Sequence, residues 1–207
     1  MTFPWIAIPL LLPAARAARV PPDYGDEIVR KAAAVAGRLN QDGRHAEAAE
    51  WGSEFQRHVV RGGAVEYEVG LAWYRLGRIE RAERHYRRTL REDPAYAAAW
   101  YDLGEIQLAR WDLDEAEEAF TQAARLRPDH WAGFFRLAEV AARRGDATGF
   151  EVHLRDALAS GFSFRVILGD PNWVEYYRNP ALAEVIRRLV TVYSDERLLQ
   201  VFEVPPR

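Results

Sequence analysis

The chain has 207 residues, of which 49% are hydrophobic and 29% charged, and its net charge is −3. That balance excludes a disordered chain and gives no overall electrostatic pull towards nucleic acid or an anionic membrane. Cysteine is absent, which removes disulfides, thiolate metal sites and thiol nucleophiles together.

In chain order, the first feature is the apolar run Ile6 to Leu12, followed by Ala15-Arg16-Ala17. A short apolar run and a small-x-small site form the layout of a secretory signal peptide, and the run is too short to span a bilayer. Residues 1–17 are therefore read as a signal peptide, although no Lys or Arg precedes the run and Pro4, Pro9 and Pro13 interrupt a helix there. The expected location is periplasmic or secreted; the alternative is a cytoplasmic protein with an unstructured or partly packed N-terminus. Residues 18–26, with Pro21-Pro22-Asp23-Tyr24-Gly25, read as a linker.

From Val29 the chain repeats itself every 34 residues. Counting Val29, Gly63, Ala97 and Trp131 each as position 1, position 8 is Ala36, Gly70, Gly104 and Ala138. Position 7 is Val35, Val69, Leu103 and Leu137, and position 24 includes Tyr86, Phe120 and Leu154. Position 20 carries Ala48, Ala82 and Ala116, and position 27 carries Phe55, Thr89, Ala123 and Ala157. Trp100 and Phe134 stand at position 4, and Pro94 and Pro128 close two repeats. Asp42-Gly43, Leu76-Gly77 and Arg144-Gly145 fall at positions 14 and 15, where a turn between two helices is needed. Small residues at 8, 20 and 27 let two helices approach, and the larger ones at 4, 7 and 24 fill the space between them. An ordinary helical bundle would not keep one such register through four units.

This pattern resembles the tetratricopeptide-repeat (TPR) family. The resemblance implies an all-α fold: a right-handed superhelical solenoid of about four TPR helix hairpins with a helical C-terminal cap. The array would occupy residues 27–162, with repeats near 29–62, 63–96, 97–130 and 131–162. Residues 163–207 form capping helices and a tail. There, Asp170-Pro171-Asn172-Trp173 and Asn179-Pro180-Ala181-Leu182 resemble the end-of-group cap of bacterial TPR arrays. Trp173, Val174, Tyr177 and Leu182 would seal the last repeat, with Glu184, Arg187 and Arg188 facing water. The apolar stretch Leu198 to Val204 would dock on the cap, pair with another chain or fray.

In TPR arrays the first helix of each pair lines a concave surface, and positions 2, 5, 9 and 12 point into it. Read off in this chain, the partner-binding groove comprises Tyr67, Leu71, Tyr74, Tyr101, Glu105, Leu108, Phe135 and Glu139. Tyr67, Tyr101 and Phe135 form an aromatic ladder at 34-residue steps, with Glu105 and Glu139 one turn further on. The alternative for each ring is packing against a neighbouring helix. The two glutamates favour a basic or neutral peptide over an acidic one. TPRs that grip acidic chaperone tails need lysines and asparagines on this surface, so that class of partner is not expected.

Other signals carry less. Arg81, Arg84, Arg88 and Arg91 share a helix face and could hold phosphate. One repeat on from Arg78, Arg81 and Arg84, however, stand Asp112, Glu115 and Glu118, so the arginines are expected to meet acids across a repeat junction and nucleic acid is not an expected partner. The five histidines show no metal-ligand spacing, and Asp129-His130 reads as a helix cap. No phosphate-cradling glycine loop or nucleophile elbow is present. The reading is a non-enzymatic scaffold or adaptor without cofactor, metal or transmembrane span, binding a protein or peptide in its groove. One alternative is a structural subunit of an envelope or other assembly, oligomerising through the cap or tail; a second is an enzyme of unrecognised type.

Overall fold

The structure, a computed structural model, describes residues 22–59, 62–167 and 171–193. The signal peptide, the start of the linker and the tail at 198–204 lie outside the described residues, as do the side chains of Val174 and Tyr177. Among the described residues there are ten α-helices and no strand: α1 (Pro22–Gln41), α2 (His45–His58), α3 (Gly63–Arg75), α4 (Ile79–Glu92), α5 (Ala97–Ala109), α6 (Leu113–Leu126), α7 (Trp131–Arg144), α8 (Ala147–Ala159), α9 (Pro171–Arg178) and α10 (Pro180–Tyr193). A 3-10 turn, Phe164–Ile167, joins α8 to α9. Helices α3, α5 and α7 start at 34-residue intervals, and so do α2, α4, α6 and α8. The hairpins α1–α2, α3–α4, α5–α6 and α7–α8 stack in sequence into the expected right-handed superhelical solenoid.

One boundary differs from expectation. Helix α1 begins at Pro22, so residues 22–26 are helical where a linker was read. Proline is tolerated at the first helical position because its missing N–H would have no intrahelical acceptor there.

The second, third and fourth hairpins are fitted by a reciprocal choice of size at positions 8 and 24. Gly70 faces Tyr86, and Gly104 faces Phe120; a β-carbon on either glycine would lie 2.8 or 2.7 Å from the opposing ring. Where position 8 is Ala138, position 24 is Leu154; the first hairpin instead has Ala36 and Gly52, and a β-carbon on Gly52 would lie 2.5 Å from Val69 of the next hairpin. Tyr86, Phe120 and Leu154 are wholly buried. Summed volume across the helix pair is thus held within what close packing allows.

The hairpin turns are the same in all four repeats. The position-16 N–H donates to the carbonyl five residues back: Arg44 to Leu39, Arg78 to Trp73, Asp112 to Gln107 and Asp146 to Ala141, at 2.8–3.0 Å. Such a turn requires left-handed backbone at position 15. Gly43, Gly77 and Gly145 supply it with φ of 74°, 70° and 73°, whereas the third repeat places Trp111 there at φ 66°.

Neighbouring hairpins are registered by a different ion-pair ladder from the one expected. Among the described residues no ion pair joins Arg78, Arg81 or Arg84 to Asp112, Glu115 or Glu118; Arg81 instead lies over the Trp73 ring at 4.5 Å. Register comes from position 14 of one repeat meeting position 21 of the one before. Arg110 pairs with Glu83 at 2.7 Å, and Arg144 pairs with Glu117 while also reaching Asp114 at 2.5 Å. Glu151, the next glutamate at this position, pairs with Arg188 of α10. The last helix thereby takes the electrostatic place of a fifth repeat.

The C-terminal end is closed by an aromatic cluster. Trp173 of α9 stacks on Phe135 with centroids 5.4 Å apart, and Phe162 approaches Phe135 at 4.7 Å. Leu182, Ile186, Leu189 and Val190 of α10 complete the core against Phe150 and Leu154 of α8. Glu184, Arg187 and Arg188 are exposed. Asn179 caps α10 by accepting from the Ala181 N–H at 3.0 Å.

Candidate functional site

The first helices of successive hairpins present their position-5 residues along the concave face. The Tyr67 and Tyr101 rings rest by their inner edges on the position-24 rings Tyr86 and Phe120, each with centroids 5.7 Å apart. Their hydroxyl ends point across to the next hairpin, where position 6 meets them. Tyr67 Oη donates to Asp102 Oδ2 at 3.0 Å, and Arg136 Nε donates to Tyr101 Oη at 3.2 Å. Asn40 Nδ2 donates both to the backbone carbonyl and to Oε2 of Glu68, another position-6 residue, at 2.9 Å. Polar rungs thus recur at one register along this face, made by Glu68, Asp102 and Arg136.

These rungs change the meaning of the two glutamates. Arg136 Nη2 donates to Glu105 Oε2 at 2.9 Å, and Nη1 pairs with Glu139. The side chain of Glu139 is only 3% exposed. Burial alone would weaken the hold of Arg136 on its proton, but Glu139 and Glu105 more than offset that and raise its proton affinity above the ordinary value. Burial pushes the Glu105 carboxyl up, opposed by Arg136. Glu105 and Glu139 are therefore structural partners of a built-in cation and are not free to select a basic peptide.

Three of the expected groove residues are covered. Phe135 is buried beneath Trp173 of the cap, Leu108 is buried among Phe120, Leu137 and Val140, and Glu139 is buried as described. Phe135 occupies the ladder position, but α9 lies over it, so only Tyr67 and Tyr101 of the ladder stay partly open. Tyr67, Leu71 and Tyr101 are partly buried, and Tyr74 is 37% exposed.

The structure adds a cleft not evident from the ladder positions alone. Tyr67, Ala98, Tyr101, Asp102, Trp131 and Ala132 line a largely apolar space of about 410 Å³ between the third and fourth hairpins, rimmed by Arg127 and His130. Its depth comes from alanine at position 2 (Ala98, Ala132), which leaves room between the rings. Asp102 is its single lining carboxylate, and burial pushes that group up to about 6, opposed by the Tyr67 hydroxyl. The signal that could have found Asp102 is the polar series Glu68, Asp102, Arg136 at 34-residue steps. Trp131 stands at position 1, outside the positions read as concave. His130 Nδ1 accepts from the Ala132 N–H at 3.3 Å, so this residue is the N-cap of α7, as the sequence suggested.

A second recess, of about 430 Å³, lies at the N-terminal end of the same face and is lined by Gly37, Asn40, His45, Glu68, Leu71 and Arg75. Among the described residues no group of three His, Asp or Glu side chains is placed to hold a metal ion, and no helix is long and apolar enough to cross a membrane.

Comparison with known proteins agrees with this architecture. Two family models, both described as tetratricopeptide repeat, match residues 74–132 and 107–161. A TPR repeat-containing protein of Pseudomonas aeruginosa, PA0015, is 32% identical over 66 residues, a stretch that is 32% of this chain and spans 63% of that relative's length. Among solved structures, pilF of Pseudomonas aeruginosa superposes with a TM-score of 0.62 at 14% identity, covering 86% of this chain and 90% of that one. YrrB, described as a TPR protein with an unusual peptide-binding site, superposes with a TM-score of 0.57 at 17% identity, covering 64% of this chain and 69% of its own. The 34-residue hairpin register and the glycine–aromatic packing of the two central hairpins agree with these matches, which identify tetratricopeptide repeats over residues 74–161.

Proposed function

We propose that this protein is a non-enzymatic scaffold whose concave groove binds a peptide segment of another protein. TPR proteins bind other proteins or peptides, and YrrB is described as having a peptide-binding site. The observation that carries the reading is the cleft between Tyr67, Tyr101 and Trp131. Aromatic rings already held by packing offer large contact area at little further entropic cost. The small residues Ala98 and Ala132 leave an opening of side-chain size between them. On the apolar run and the Ala-x-Ala site, the proposal also places the protein outside the cytoplasm. A mature chain starting near Ala18 in cells supports that placement, and an intact Met1 removes it.

Ala98 is exposed and lines the cleft, so Ala98→Trp fills the groove without touching the core. Crosslinked capture from native cells, compared between wild type and this variant, tests the reading. Proteins captured by wild type are expected to be lost with Ala98→Trp while helicity and melting stay unchanged. Capture that survives the filled cleft overturns the groove assignment.

A further inference from the structure

We propose that the cleft selects a lysine or arginine side chain of the bound segment, with the cationic head on Asp102 and the apolar stem against Tyr101 and Trp131. The inference rests on the groove reading above and names the chemistry that the groove recognises.

Three observations carry it. The first is an asymmetry between neighbouring carboxylates on one face. Glu105 and Glu139 share a cation supplied by the protein, Arg136. Asp102 accepts a hydrogen bond from Tyr67 Oη at 3.0 Å, and among the described residues no ion pair reaches it. A carboxylate drawn out of water with only the neutral hydroxyls of Tyr67 and Tyr86 beside it keeps acceptor capacity that a charged donor satisfies best.

The second is the composition of the space it faces. Asp102 is the lining carboxylate of an otherwise mostly apolar cleft of about 410 Å³. Long basic side chains suit such a site because their methylene stems pack on rings while the head reaches a polar group, and a cation near an aromatic face gains further. A hydrocarbon side chain would instead cover the carboxylate and leave it without solvent.

The third is the charge around it. Glu68 and Arg75 from α3, the hydroxyls of Tyr67 and Tyr86 from α3 and α4, Tyr96 before α5 and Glu105 one turn along α5 surround Asp102. Arg75 is exposed and acts on Asp102 only at a distance, with no ion pair between them among the described residues. At the far rim Arg127 approaches Asp129 at 3.9 Å, and His130 is used as a helix cap.

The carboxyl of Asp102 is already pushed up to about 6 by burial. Below that pH it takes up a proton and ceases to hold a cation. Single-proton linkage then predicts about a tenfold loss of affinity between pH 7.5 and pH 5.0.

The test uses the full chain and peptides selected on it from a random display library at pH 7.5. A recovered peptide, its lysine-acetylated form and the variants Asp102→Asn and Ala98→Trp are compared by fluorescence anisotropy at both pH values. Asparagine keeps an acceptor for Tyr67, and acetylation of the peptide does not depend on how the variant folds. The expected results are recovered sequences enriched in Lys or Arg, a loss of about tenfold or more on acetylation, and a similar loss with Asp102→Asn. Acetylation then has little further effect on that variant, and the fall towards pH 5.0 flattens. If Ala98→Trp abolishes binding while acetylation and Asp102→Asn change nothing, the cation assignment is overturned and the groove stands. If Ala98→Trp leaves binding intact, both fall.

Discussion

Trp111 and Gly104 show how much of this fold turns on single side chains. Trp111 sits in left-handed backbone at φ 66°, where the other three repeats use glycine, and its ring is 64% exposed. A β-carbon in that region costs about 1–2 kcal/mol. In return the ring receives Arg143 at 5.1 Å, a contact worth about 0.5–1 kcal/mol at an exposed site. Trp111→Gly is therefore expected to stabilise the protein by about 0.5–1 kcal/mol, visible as a small rise in melting temperature. A fall would mean that the indole contributes packing beyond Arg143. Gly104 is the opposite case. A methyl group there meets the wholly buried Phe120 ring at 2.7 Å, so the ring must shift within the core. Gly104→Ala is expected to cost about 1–3 kcal/mol despite the better helix propensity of alanine, measured by denaturant midpoint.

At the scale of helices and hairpins, stacking is apolar in strength and electrostatic in register. Exposed ion pairs such as Arg110–Glu83 and Arg144–Glu117 contribute about 0–1 kcal/mol each. A double-mutant cycle with Glu117→Ala and Arg144→Ala should give a coupling in that range, weakened by salt. A coupling several times larger would show that the ladder itself holds the hairpins together. The arginines at Arg78, Arg81 and Arg84 illustrate why equal spacing did not identify the pairs. Residues 34 apart are equivalent in adjacent hairpins, but their helices are offset. An arginine at the end of a first helix therefore reaches a glutamate 27 residues back, at position 21 of the preceding repeat.

For the whole molecule the decisive element is the cap. A solenoid exposes the apolar face of its last hairpin, and here α9 and α10 cover it with Trp173, Leu182 and Ile186. Trp173 is 2% exposed and touches Phe135, Phe150 and Tyr176. Trp173→Ala should cost about 3–5 kcal/mol, with amide hydrogen-exchange protection lost first in α9, α10 and α8 and retained in α3 to α6. Uniform loss across the array would indicate a single cooperative unit instead. The same cap shortens the open face, because it buries Phe135 and leaves Tyr67 and Tyr101 as the partly exposed rungs.

The 34-residue interval, the hairpin turns at Gly43, Gly77 and Gly145, and the small residues at position 8 with larger ones at position 24 of the last three repeats were legible from residue order alone. Each depends on helical period and on neighbours within one hairpin, and such local rules repeat with the sequence. The helical start at Pro22 was missed because proline marks a first turn as readily as a linker. The free or occupied state of the concave side chains followed no local rule. Glu105 and Glu139 look available until Arg136, 31 residues from Glu105, is brought between them, and Phe135 looks like Tyr67 and Tyr101 until Trp173 is laid across it. Asp102 became the carboxylate of the face without a cation only because folding gave its neighbours Arg136 and gave it tyrosine hydroxyls. Periodicity in the chain determined which residues share that face, while contacts between distant segments decided which of them still have bonding capacity to offer.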